Sequence, residues 1–84
     1  MINVVKIKLN NMDDAKEFSN ICESYEEIDI DYIIGRYVID AKSILGILST
    51  SLGKSAHVKM HTENQDTLEL FLNSVNKWIT ELNI

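Results

Sequence analysis

Residues 35–48 read GRYVIDAKSILGIL. Gly35-Arg36 suits a two-residue hairpin loop, with the glycine supplying the positive φ needed at the first loop position. Tyr37 to Asp40 then reads as a return strand. Ser43 follows as an N-cap, its hydroxyl placed to accept a free amide of a short helix that runs to about Leu48–Ser51. One short segment therefore predicts a hairpin that feeds directly into a helix, with Gly53 able to turn the chain afterwards.

The pattern on either side is consistent with this. Upstream, Ile28, Ile30, Tyr32 and Ile34 fall on one face and Asp29 and Asp31 on the other, the period-two signature of a half-buried strand. Earlier still, residues 3–9 alternate Val5, Ile7 and Leu9 with Lys6 and Lys8, which predicts another strand. Between them Ala15, Phe18, Ile21, Cys22 and Tyr25 form one apolar helix face, and Asp14 with Glu17 has capping-box spacing. Downstream, residues 56–62 predict a further strand, with Val58 and Met60 inward and His57, Lys59 and His61 outward. Asp66 and Glu69 repeat the capping-box spacing. Leu68, Leu72, Val75, Ile79 and Leu82, flanked by Phe71 and Trp78, predict a long amphipathic helix to the C-terminus. The expected order is β-α-β-β-α-β-α, a two-layer α+β domain spanning residues 1–84 with one sheet face under helices.

Composition narrows the function classes. The chain has 84 residues, is 45% hydrophobic and 25% charged, and contains no proline; these values suit one globular domain. Its net charge of −5, with Arg36 as the one arginine among eight basic residues, argues against nucleic acid. The alternating N-terminus lacks the uninterrupted apolar core of a signal peptide, and no apolar run is long enough to span a bilayer. A cytoplasmic protein without membrane insertion is expected. A single cysteine, Cys22, excludes an internal disulfide and a CxxC zinc site.

Few side chains suggest chemistry. His57 and His61, four apart on one strand, lie about 13 Å from each other, too far to share a metal ion. They read as solvated histidines. Cys22 lies in an apolar stripe and reads as a small buried hydrophobe. Asp13 and Asp14 suit a helix N-terminus. No carboxylate pair and no glycine-rich phosphate loop is present, so no catalytic residue, cofactor or metal is expected. Ser43 stands out. A phosphate on its hydroxyl would meet free backbone amides beside Lys42, and Ile44, Leu45 and Leu48 are more apolar residues than so short a helix can bury.

The segment from Gly35 to Leu48, above all Lys42-Ser43-Ile44-Leu45-Gly46, resembles the regulatory serine motif of HPr, the phosphocarrier of the bacterial sugar phosphotransferase system. Lys54, Ala56, Val58 and Met60 continue the likeness. The resemblance implies an open-faced β-sandwich, in which three helices cover one side of a four-stranded antiparallel sheet. It also exposes a departure. Where that family carries Gly-x-His-x-Arg-Pro before its first helix, this chain has Asn11, Met12, Asp13 and Asp14. The phosphoacceptor histidine is absent, and the two acids would repel a phosphoryl group. Ser51 stands where the family usually has glycine after the short helix.

What the resemblance implies is a non-enzymatic, histidine-lacking HPr-like regulatory or adaptor protein. Ser43 would be its phosphorylation site, and Lys42, Ile44, Leu45 and Leu48 its partner-binding surface. A serine kinase and a transcription regulator would be the protein partners. Two alternatives stand beside it: a phosphocarrier with an unusual acceptor, and a diverged binding module in which Asp13 and Asp14 supply fixed negative charge. The partner, the sugar and the oligomeric state are left open.

Overall fold

The computed structural model describes residues 3–82. Along the chain lie β1 (Val4–Lys8), α1 (Met12–Glu23), β2 (Ile30–Ile34), β3 (Tyr37–Asp40), α2 (Ile44–Thr50), β4 (Ser55–Met60), α3 (Gln65–Val75), a 3-10 turn (Asn76–Trp78) and β5 (Ile79–Leu82). The strands form one antiparallel sheet in the order β3-β2-β4-β1-β5. The hairpin closes with Ile34 opposite Tyr37, and Gly35 takes φ 58° at its first loop position, a conformation that costs glycine little.

The period-two reading of the strands holds. Val5, Ile7, Ile30, Tyr32, Ala56, Val58 and Met60 are buried, while the residues between them are half-buried or exposed. The buried strand residues join Ala15, Phe18 and Cys22 of α1, Ile47 of α2, and Leu68, Phe71 and Val75 of α3 in one cluster. Phe18 sits at its centre, 5.8 Å from the Tyr32 ring and edge-on to Trp78 at 5.9 Å. Among the described residues no helix is long and apolar enough to cross a membrane.

Three expectations are corrected. The sheet has five strands, not four, because the predicted C-terminal helix stops at Val75 and residues 79–82 form β5 along β1. Ile79 and Leu82 satisfy the 3.6-residue period as well as a strand would, so spacing could not separate the two. Tertiary contacts decide it. Trp78 turns under the sheet onto Phe18, and β1 would otherwise present a bare edge with unpaired backbone groups. Thr80 Oγ1 donates to the Lys6 carbonyl at 3.2 Å, and Lys6 pairs with Glu81 at 3.3 Å. Lys77 lies over the Trp78 ring and reaches Glu17 of α1 at 2.8 Å. The last two residues of the expected helix, Asn83 and Ile84, lie outside the described residues.

The other two corrections concern helix starts. Asn11 caps α1, accepting the Asp14 amide at 2.9 Å, while the Asp14 carboxylate reaches back to the Asn10 amide at 3.2 Å. The capping pair is therefore Asn11 with Asp14, not Asp14 with Glu17. Asn64 caps α3 through the Thr67 amide at 3.0 Å, in place of Asp66. Asparagine caps as well as aspartate, so spacing alone did not select between them.

Among the described residues one buried side-chain oxygen has no hydrogen-bond partner. The Tyr32 phenol oxygen is buried without a hydrogen bond of good geometry. Burial pushes its pKa up, and the Ser51 hydroxyl nearby pulls it down, yet Ser51 Oγ gives its own proton to the Ile47 carbonyl at 3.0 Å. An unsatisfied buried hydroxyl costs about 1–3 kcal/mol. Tyr32→Phe keeps the ring and is therefore expected to raise stability by about 1 kcal/mol, read as a higher urea midpoint. A loss of that size would show that the hydroxyl has a partner in solution.

Candidate functional site

The strand-to-helix corner at residues 40–51 is built from backbone hydrogen bonds. After β3, the Asp40 carboxylate accepts the Lys42 amide at 2.9 Å and its carbonyl accepts the Ser43 amide at 2.9 Å. This tight turn aims Ser43 at the head of α2, where its exposed side chain accepts the Gly46 amide at 3.3 Å. The bond is long for a cap, so the hydroxyl is loosely held. Gly46 is required by close approach, because a Cβ there would stand 2.7 Å from Ile39 Cγ2. α2 thus rests directly on β3.

The apolar surplus expected around Ser43 is present, and the structure ranks its members. Ile47 is fully buried and anchors the helix. Ile44 and Leu48 are half-buried and pack against the core. Leu45 is 77% exposed. Ile44 also lines a groove of about 240 Å³ with Lys16, Ser19, Asn20 and Glu23 of α1.

Lys42 takes a place that spacing did not reveal. Its ammonium donates to the carbonyls of Ile28 at 2.8 Å and Glu26 at 3.3 Å, and its own carbonyl accepts the Ser19 hydroxyl at 3.1 Å. The side chain binds the α1–β2 connection to the entry of α2. Such a contact between residues 14 and 16 apart in sequence leaves no local pattern.

Asn11, Met12, Asp13 and Asp14 do not form a loop. They are the cap and first turn of α1, and among the described residues no hydrogen bond or ion pair joins them to Lys42 or Ser43. The acids sit at the positive end of the helix dipole, which accounts for them locally.

Cys22 is buried, and burial, outweighing the nearby Lys42 charge, pushes its thiol up to about 12; it stays protonated and unreactive. His61 lies one residue past β4, with Nε2 2.7 Å from Asp31 Oδ2, a partner thirty residues away that the sequence did not disclose. His57 faces Lys6 and Ile33 across the open side of the sheet. Among the described residues no cluster of three His, Cys, Asp or Glu is placed to hold a metal ion.

No family model matches the chain, and the search of curated proteins found no match. Architecture is more informative. The chain matches the crystal structure of HPr-C-His from Thermoanaerobacter tengcongensis with a TM-score of 0.67, over 92% of this chain and 91% of that one. The fold is HPr-like. The identity is 18%, so the likeness is one of fold. Within the HPr-like fold, Ser43 heads the helix that leaves the β2–β3 hairpin, and Asn11–Asp14 open the helix that leaves β1.

Proposed function

We propose that this protein is an HPr-like regulatory or adaptor protein, without enzymatic activity and without a phosphoacceptor histidine. It acts through Ser43 and the apolar residues Ile44, Leu45 and Leu48 on protein partners, a serine kinase and a transcription regulator among them. Its place is the bacterial cytoplasm, and neither nucleic acid nor membrane insertion is part of the role. The observation that carries the reading is an exposed serine at the head of α2 with Leu45, 77% exposed, two residues on. A phosphate on Ser43 would draw on the free amides of the first turn. Because Lys42 is engaged with Glu26 and Ile28, those amides rather than its charge would hold the added group.

The test is incubation with ATP and the serine kinase that modifies HPr proteins, followed by intact-mass measurement. One added phosphate is expected on the wild type and none on Ser43→Ala. Loss of the cap costs that variant about 1 kcal/mol, so circular dichroism should report an intact fold. An unmodified wild type, or a phosphate that persists in Ser43→Ala, rejects the proposal.

A further inference from the structure

β3 is an edge strand, with β2 on one side and no strand among the described residues on the other. Edges are usually blunted by shortness, by charges, by proline or by a bulge; β3 is short and ends on Asp40, but it has no lysine, proline or bulge. Its sequence is Tyr-Val-Ile-Asp, and Tyr37 and Val38 are 62% and 65% exposed. We propose that this edge pairs with the same edge of a second copy of the chain. The pairing is antiparallel, about a two-fold axis at Val38.

The hydrogen-bond pattern sets the register. The Ala41 amide donates to the Ile30 carbonyl at 2.9 Å. Bonded pairs in an antiparallel ladder recur every second residue, so Tyr37 and Ile39 turn their backbone groups to β2. Val38 and Asp40 turn theirs outward. A second β3 must meet these groups with its own outward residues, which excludes any register offset by a single residue.

Charge selects among the registers left. Asp40 stands opposite Asp31 across the hairpin, a like-charge neighbour, and Asp31 already pairs with His61. Neither Arg36 nor Asp40 has an ion-pair partner among the described residues. With Val38 opposite Val38 of the second copy, each Arg36 falls opposite Asp40 of the other chain, and Tyr37 meets Ile39. Shifting by one ladder step sets Arg36 against Lys42. Shifting the other way carries Asp40 past the hairpin, where no cation stands. The axis runs perpendicular to the sheet, so both helical layers keep to one side of a continuous ten-stranded sheet.

Four-residue strands bury less than the roughly 1,200 Å² typical of stable complexes. The association is accordingly weak, with half-dimerisation on the order of 0.1–1 mM. Sedimentation equilibrium between about 10 µM and about 2 mM is the measurement. Val38→Pro removes an outward amide and no bond to β2, so it should stay folded by circular dichroism and sediment as a monomer. Arg36→Asp and Asp40→Arg should each be monomeric alone, and an equimolar mixture of the two should dimerise. Asp40→Arg also loses the bond to the Lys42 amide. If it misfolds, Arg36→Asp, which disturbs no hydrogen bond, carries the charge test. A wild type that stays monomeric throughout, association undiminished in Val38→Pro or Arg36→Asp, or a mixture of folded variants that stays monomeric overturns the proposal.

Discussion

Phe18→Ala is expected to lower stability by about 3–5 kcal/mol. A chain of this length has about 4–13 kcal/mol to lose, so this one change removes a large share of it. The reason is position. Phe18 has no exposed surface, and its ring bridges Tyr32 on β2 and Trp78 in the 3-10 turn. Truncation opens a cavity where α1, the sheet and the C-terminal turn meet, and it removes two aromatic contacts of about 0.5–1.5 kcal/mol each. Urea unfolding followed by circular dichroism measures the loss. Because Trp78 rests on this ring, its fluorescence should report a looser C-terminal turn in the variant even without urea. A loss below about 1 kcal/mol would mean that the cavity collapses freely.

Ile47→Ala is the second large effect, about 2–5 kcal/mol, and it should act locally. α2 has seven residues, too few to stand alone in water, and Ile47 is its one fully buried side chain. The amides of Ile47 and Ser51, which donate to the carbonyls of Ser43 and Ile47 at 3.1 Å, are expected to exchange with solvent roughly 30- to 3,000-fold faster, while the strand amides change less. Equal acceleration everywhere would show that α2 opens only with the whole fold. Leu45→Ala is the control. At 77% exposed it should shift stability by no more than about 0.5 kcal/mol. Loss of partner binding in Leu45→Ala would therefore report docking, and loss in Ile47→Ala the helix that presents it.

The strands and the hairpin were legible because burial on one face leaves a period of two, and because a two-residue loop with glycine first has few alternatives. Ser43 was legible for a similar reason: capping is a relation across three residues. Helix starts were less so, since Asn11, Asp14, Asn64 and Asp66 are all competent caps and the selection rests on where the chain leaves the sheet. Lys42 read as a positive charge beside Ser43, and its partners are carbonyls far away in sequence. The same holds for His61 and Asp31.

From sequence alone, then, came the α+β order as far as α3, most of the core-facing strand residues and the Ser43 cap. All of these are local: each depends on periodicity or on neighbours within one turn. Tertiary structure decided the rest. It placed residues 79–82 in a fifth strand, because the open edge of β1 and the pocket for Trp78 outweigh a spacing that suits helix and strand alike. It turned Lys42 onto the α1–β2 connection, because the carbonyls of Glu26 and Ile28 lie within its reach. And it left Leu45 and the β3 edge uncovered, because which apolar groups find a partner is settled only when every other element has been packed.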